Sequence, residues 1–134
     1  MSEEKRIVKS YEEEMQSLND DLVKMGSLTE SQLSDTIQAI VKIDKEAAEN
    51  IIKNDAQINE LRAKIDDQIS TVLVKRAPMA IDLRTTISSL KISHDLERIG
   101  DLAKSVAKKI EPLPIDLPQE LTGSLKRLGE LVPV

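Results

Sequence analysis

The sequence contains no cysteine and only one aromatic residue, Tyr11. Without cysteine the chain can form neither disulfide bonds nor thiolate metal sites. Without further aromatic side chains it lacks the stacking surfaces on which single-stranded nucleic-acid binders rely. The single histidine, His94, excludes any site that needs two imidazoles from one chain. Any hydrophobic core must therefore be aliphatic.

Long apolar runs are also absent. The longest stretch without a charged residue is Gln68 to Val74, whereas a membrane-spanning helix needs about 20 apolar residues. Charged residues, beginning with Glu3, precede any apolar stretch at the amino terminus, unlike a signal peptide. The net charge of −5 argues against general nucleic-acid binding. We expect a cytoplasmic protein that does not bind nucleic acid.

Glycine and proline are scarce in the first part of the chain. Between Met1 and Ala77 there is no proline, and Gly26 is the one glycine. Four of the five prolines crowd the last quarter: Pro112, Pro114, Pro118 and Pro133. Because both residue types interrupt helices, long helices are predicted first and a linker later.

The apolar spacing predicts three long helices. The first runs from about Ser10 to Ile43 and is bent or loosened near Gly26, since an interior glycine costs about 1 kcal/mol. Asp44 can cap the second helix, which continues until Pro78. The third runs from Pro78 to about Ile110. The apolar row predicted for the second helix includes one carboxylate: Ala48, Ile51, Asp55, Ile58, Leu61, Ile65, Ile69 and Val72.

Helices of this length joined by very short turns must lie antiparallel. We therefore predict an all-α fold: an up-down-up three-helix bundle over residues 1–111, a proline-rich linker over 112–118 and a truncated fourth helix over 119–134. The segment Ser124–Leu131 echoes Asp21–Leu28, aligning Gly129 with Gly26. Either the echo is coincidence, or a second copy of the bundle begins there.

The candidate functional side chains lie in the middle of the third helix. At about 100° per residue, a core row is predicted on one side, and His94, Glu97, Arg98 and Asp101 on the opposite side. The predicted core row is Ile92, Leu96, Ile99, Ala103, Val106 and Ile110.

Glu97 and Asp101 are four residues apart, so their carboxylates rise from neighbouring turns and repel each other. Either a basic side chain, Arg98 or Lys104, or a hard metal ion such as magnesium, manganese or iron would relieve the repulsion. The pattern alone favours ion pairs on a solvated face. Gly100 is expected to pack tightly against the first or second helix.

The second helix carries a polar row of Asp55, Asn59, Arg62 and Asp66, which a solvated face explains equally well. His94 is expected to be a surface imidazole. No glycine-rich phosphate loop, nucleophile elbow or Glu-x-x-His pair is present. The sequence therefore gives no case for an enzyme.

Three motifs in register resemble the PhoU family of phosphate-uptake regulators. They are the run Asp95–Asp101, read as DLERIGD, the run Arg76–Arg84, read as RAPMAIDLR, and the pair Met25 and Gly26. The resemblance covers nearly the whole chain from about Tyr11. It implies two tandem three-helix bundles, of which this chain resembles the first and the opening of the second, so that it would be a truncated form.

The resemblance also implies a function. PhoU-like proteins are cytoplasmic regulators, peripheral to membrane complexes, that act between a phosphate transporter's ATPase subunit and a sensor histidine kinase. Some members bind metal clusters through E/D-x-x-x-D motifs. These motifs fall here on Glu97 and Asp101 and on Asp55 and Asn59, where an amide replaces the second carboxylate.

The resemblance thus predicts a divalent or iron ion at Glu97, Asp101 and Asp55. Partner binding or support of the site is assigned to Arg98, His94, Asn59 and Arg84. One alternative is metal sensing or storage as the primary role. Another is a homo-oligomeric scaffold that pairs through Leu121 to Val132.

Overall fold

The computed structural model describes residues 2–76, 80–113 and 118–131, and the regular structure in these ranges is helical. α1 spans Glu3–Lys42, α2 spans Lys45–Arg76, α3 spans Ala80–Lys108 and α4 spans Gln119–Glu130. The first three helices contact one another pairwise. The predicted all-α fold and its three-helix bundle are confirmed. The expectations for Pro78 and for residues 114–117 and 132–134 lie outside the described residues, and the domain division stays a prediction.

α1 begins earlier than predicted and continues without interruption past Gly26. The Ser2 hydroxyl accepts a hydrogen bond from the Lys5 amide, and Glu3 and Glu4 lie in the first turn. A capping serine followed by acidic residues stabilises the positive end of a helix. This cap signal, rather than the apolar row, sets the start of α1.

A tight turn reverses the chain between α1 and α2. Ile43 adopts a left-handed conformation with φ 50°, and the Asp44 amide donates to the Ala39 carbonyl at 2.8 Å. The Asp44 carboxylate accepts from the Ala47 amide at 3.0 Å, which confirms the predicted cap. Such a short connection leaves α2 antiparallel to α1.

The bundle core consists of two aliphatic clusters. One lies at the end of the bundle that contains the start of α1, and the other lies beside the α1–α2 turn. The first comprises Leu18, Met25, Ile58, Leu61, Ile65 and Ile69. The second comprises Ala39, Ala48, Ile51, Ala107 and Ile110. Between them along α1, polar residues take the inward positions: Thr29, Gln32 and Thr36 are buried.

α2 buries every residue of its predicted row, Asp55 included. The row predicted for α3 is wrong in part: Ala103 and Ile110 are buried, but Ile92 is 50% exposed, and Ile99 and Val106 lie on the outside as well. The buried positions of α3 are mostly small: Thr86, Ser89, Ser93, Gly100, Ala103 and Ala107. At Gly100, the side chain of Ile58 on α2 fills the space in front of α3, since an added Cβ atom would lie 3.2 Å from Ile58 Cδ1. Small residues therefore suit this buried face of α3.

α4 packs on α1 alone among the described helices. A Cβ atom added at Gly129 would lie 2.8 Å from Ile37 Cγ2, so the α4 backbone approaches α1 closely at this point. α4 ends at Glu130. Across residues 2–76, 80–113 and 118–131, the search for a helix with the length and apolar character to cross a membrane finds none.

Candidate functional site

A buried carboxylate lies at the centre of the bundle. Asp55 is 1% exposed, and its Oδ1 accepts a hydrogen bond from Gln32 Nε2 at 2.9 Å. The same amide nitrogen donates to the Gly100 carbonyl at 2.9 Å. Gln32 therefore joins α1 to both α2 and α3, and we call Gln32, Asp55 and Gly100 the polar layer.

The second oxygen of Asp55 points to the edge of the bundle. Asn59 Nδ2 donates to Asp55 Oδ2 at 3.3 Å, and Lys104 Nζ lies 3.6 Å from the same oxygen. An isolated buried charge is very costly, whereas a paired and hydrogen-bonded one is tolerated. The ammonium of Lys104 thus supplies the counter-charge that allows Asp55 to be buried.

Arg62 and Glu97 form a second ion pair between α2 and α3. We call the surface where α2 and α3 meet, with Asp55, Lys104, Arg62 and Glu97, the α2–α3 groove. Arg62 Nη1 donates to Glu97 Oε1 at 2.7 Å, a short charge-assisted hydrogen bond. This hydrogen bond raises the pKa of Arg62, with partial opposition from desolvation and further support from the charges of Glu97 and Asp66. Arg62 Nε also lies 3.7 Å from Asp66, and His94 Nε2 lies 3.7 Å from the same carboxylate.

Asp101 is the third carboxylate of this groove, and it has no counter-ion among the described residues. It is exposed and, in the part of the chain that the structure describes, makes neither a hydrogen bond nor an ion pair. Desolvation raises the pKa of Asp101 above its ordinary value, and the charges of Asp55 and Glu97 raise it further. Lys104 and Arg62 act in the opposite direction, with smaller effects. We call Asp55, Glu97, Asp101, Arg62 and Lys104 the α2–α3 charge cluster.

The structure brings some of the predicted site residues together and leaves others apart. Asp55 and Asn59 are in direct contact, and Glu97 and Asp101 influence each other through their charges. His94 lies at the margin through Asp66. Arg98 and Arg84 are exposed and form no ion pair or hydrogen bond with the described residues. The roles assigned to all these residues stay predictions.

Three expectations are corrected. Glu97 does not face away from the bundle: its side chain is only 20% exposed and turns towards α2, because Arg62 holds it there. The cation that relieves the repulsion at Glu97 is therefore Arg62 on the neighbouring helix, and not Arg98 on its own helix. The solvated-face interpretation of the α2 polar row is wrong at Asp55, which is buried.

Sequence reasoning did not identify Gln32. Its signal was nevertheless present, since Thr29, Gln32 and Thr36 recur at three and four residues, the spacing of one inward helix face. A polar row at this spacing beside a carboxylate in an apolar row indicates a buried hydrogen-bonded layer. Lys104 was considered as a partner for the acidic pair, but its partner in the structure is Asp55.

The residues of the groove can be tested for a metal ion. Their carboxylates have the oxygen chemistry that hard cations prefer. However, Asp55 already accepts hydrogen bonds from two amides, and Arg62 and Lys104 occupy the positions that a cation would take. Among the described residues, no three His, Asp or Glu side chains are arranged to hold a metal. As arranged, the groove does not fit a metal ion, and metal binding stays a prediction.

Fold and groove together define a helical-bundle protein with a buried polar layer and a charged α2–α3 surface. The family model described as the PhoU domain matches residues 22–110. This range includes α2, α3 and all three residues of the polar layer. The chain therefore belongs to the PhoU family.

Curated relatives carry the name phosphate-specific transport system accessory protein PhoU homolog. The protein from Caulobacter vibrioides is 39% identical over 126 residues, covering 93% of this chain and 55% of the relative. The protein from Xylella fastidiosa is 38% identical over 125 residues, covering 93% of this chain and 52% of the relative. The chain thus spans about half the length of these relatives.

A solved structure shows the same fold. The crystal structure of PhoU from Pseudomonas aeruginosa matches with a TM-score of 0.82 and 32% identity. The match covers 90% of this chain and 58% of that protein.

Proposed function

We propose that this protein is a non-enzymatic, cytoplasmic regulator of phosphate uptake and of the phosphate-starvation response. It contacts the ATPase subunit of a phosphate transporter and a sensor histidine kinase, and it is peripheral to these membrane complexes. Membership of the PhoU family and the names of the curated relatives support a role in phosphate transport.

The observation that carries the proposal is the incomplete charge balance of the α2–α3 charge cluster. Three carboxylates face two cations, and the exposed Asp101 is the one without a partner among the described residues. An acidic group of this kind complements a basic residue on another protein, and such complementarity directs partner choice and association rate. The groove is therefore the proposed contact surface.

Regulation follows if the groove binds one conformational state of a partner better than the other. A protein that does so shifts its partner towards the favoured state by the difference in affinity. Because the ion pairs with Arg62 and Lys104 hold Glu97 and Asp55 in place, the bundle presents this surface as a rigid unit. No chemical step is required of the protein itself.

The test is a titration of the purified ATPase subunit, and separately of the kinase domain, with the native chain and the variant Glu97→Lys/Asp101→Lys. We expect binding to weaken at least about tenfold, which corresponds to about 1.4 kcal/mol. The matched control is Glu49→Lys/Glu60→Lys, which makes the same charge change at two exposed positions of α2. Equal affinities of the native chain and the groove variant would remove the groove from the proposal.

Metal sensing or storage remains the alternative function, and the uncompensated charge at Asp101 is the observation in its favour. It requires a metal ion to displace Arg62 and Lys104 from their carboxylates. Protein that keeps a stoichiometric metal through desalting, and loses it in Glu97→Ala/Asp101→Ala, would support this alternative. Full regulatory activity of metal-free protein would contradict it.

A further inference from the structure

The exposed side of α3 carries a line of cations. Arg84, Lys91 and Arg98 follow one another at intervals of seven residues, which is about 20° short of two full helical turns. Each of them lies two residues before a buried position of α3, in order Thr86, Ser93 and Gly100. Because two residues turn a side chain by about 200°, the three cations point away from the rest of the bundle.

These cations have no counter-ion within the described part of the chain. All three are exposed, and none of them forms an ion pair or a hydrogen bond with the residues that the structure describes. Asp95 is an acidic residue on the same side, and Lys109 follows directly after the end of α3. The chain as a whole has a net charge of −5, so this side of α3 is basic against the overall balance. Such a row is suited to an anionic surface outside the chain.

Bulky aliphatic side chains are interleaved with the cations. Ile87 lies one turn from both Arg84 and Lys91 and is 42% exposed. Leu102 lies one turn after Arg98 and is 59% exposed. Basic and apolar side chains together on an exposed helix are typical of binding to anionic membrane surfaces. We call Arg84, Ile87, Lys91, Arg98 and Leu102 the outer α3 face.

The outer α3 face fits a lipid surface better than a partner helix. A partner helix needs an apolar seam at spacings of three and four, whereas cations occupy the outermost position of each heptad here. On a bilayer, the stems of Lys and Arg lie along apolar groups while their charged ends reach the phosphates. The face is about 27 Å long from Arg84 to Leu102. α4 contacts α1 and, among the described residues, does not contact α3.

We propose that the outer α3 face binds the surface of an anionic phospholipid bilayer, with α3 parallel to the membrane. The charged ends of Arg84, Lys91 and Arg98 contact lipid phosphates, and Ile87 and Leu102 enter the interfacial region. The net negative charge of the chain does not prevent this contact, because α1 and α2 lie behind α3 and charges beyond about 10 Å are screened at 0.1 M salt. The lipid contact is separate from the groove contacts of the proposed function and needs neither the ATPase subunit nor the kinase.

Co-sedimentation with lipid vesicles tests the binding. The native chain should bind vesicles of phosphatidylcholine and phosphatidylglycerol in equal parts, should not bind vesicles of phosphatidylcholine alone, and should dissociate as salt is added. Each cation close to an anionic surface strengthens binding about fivefold, so Lys91→Gln/Arg98→Gln should bind about 25-fold more weakly. The matched control, Lys24→Gln/Lys53→Gln, makes the same charge change at exposed positions of α1 and α2. It should stay within about twofold of the native affinity, because these positions lie farther from the lipid.

A fluorescent label tests the orientation on the membrane. The chain has no native cysteine, so Ser105→Cys, at an exposed position one turn after Leu102, gives a single labelling site. A lipid-borne nitroxide should quench this label on the anionic vesicles. It should leave a label at Ser27→Cys, at an exposed position of α1, unquenched. Leu102→Ser, which keeps the charge, should weaken binding about fivefold through lost apolar contact.

Several results would overturn the proposal. They are a lack of binding to the anionic vesicles, equal binding to vesicles of phosphatidylcholine alone, native affinity of Lys91→Gln/Arg98→Gln, and equal quenching of the two labels. If the native chain binds no vesicles, and the same variant loses binding to the purified ATPase subunit, the outer α3 face belongs to an acidic protein partner and the lipid proposal is wrong.

Discussion

At the scale of single residues, the stability of the bundle depends on how the charge of the buried Asp55 is balanced. Burial of a carboxylate is tolerated when its oxygens are hydrogen-bonded and a counter-charge lies close by. Here Gln32 and Asn59 donate the hydrogen bonds, and Lys104 supplies the counter-charge. A layer of this kind also fixes helix register, because the helices can slide only by breaking these bonds.

Replacement of Gln32 should therefore destabilise the protein by more than the loss of its side-chain packing alone. In Gln32→Ala, Asp55 Oδ1 and the Gly100 carbonyl lose a donor in the bundle interior. We expect a loss of about 2–3 kcal/mol in the free energy of unfolding, measured by urea denaturation. Gln38→Ala, at an exposed position of α1, should change it by less than about 0.5 kcal/mol. Equal effects of the two substitutions would show that the polar layer contributes nothing to stability.

Asp101 gives a prediction with a defined pH dependence. Its folded-state pKa lies above the ordinary value of 3.8, so the folded chain binds the proton more tightly than the unfolded chain. Stability from this group is thus present at low pH and is lost as the pH rises through the folded-state pKa. Because solvent screens the charge of this exposed side chain, we expect Asp101→Asn to stabilise the protein only slightly at pH 7, by less than about 0.5 kcal/mol. The gain should shrink towards pH 4, and thermal unfolding across this range measures it. A gain that increases as the pH falls would contradict the assignment.

At the scale of helices, apolar spacing and capping predicted part of the structure, but not the start of α1 at the Ser2 cap. The core row of α2, the cap at Asp44 and the tight packing at Gly100 were all predicted correctly. The buried face of α3 was not, because its small residues were read as polar or neutral and its exposed isoleucines as core. Pairing between helices, such as Arg62 with Glu97, depends on rotations that one-helix patterns do not contain.

Gly26 and Gly100 should respond oppositely to the same substitution. A Cβ atom at Gly100 would lie 3.2 Å from Ile58 Cδ1 and 3.6 Å from Asp55 Oδ1. Gly100→Val therefore overpacks the contact between α3 and α2, and we expect a loss of about 1–3 kcal/mol in the free energy of unfolding. Gly26→Val, in open space, should leave the stability of the monomer unchanged or slightly raised. Urea denaturation of both variants provides the comparison, and a harmless Gly100→Val would contradict the close approach of α3.

At the scale of the whole molecule, a three-helix PhoU-family bundle carries a charged surface on which one carboxylate, Asp101, has no partner among the described residues. Arg62 and Lys104 occupy the positions at Glu97 and Asp55 that a cation would otherwise take. We expect these side-chain cations, rather than a metal ion, to balance the charges of Glu97 and Asp55 in the α2–α3 charge cluster. Partner binding by the cluster should then require no metal ion.

The decisive measurement is the free energy of unfolding of chelator-treated protein, with and without added magnesium, manganese or ferrous ions. If Arg62 and Lys104 hold Glu97 and Asp55 in place without a metal ion, the value should be the same in every sample. A bound metal at a hundredfold excess over its Kd would raise it by about 2.7 kcal/mol. A rise of that size, lost in Glu97→Ala/Asp101→Ala, would contradict the account.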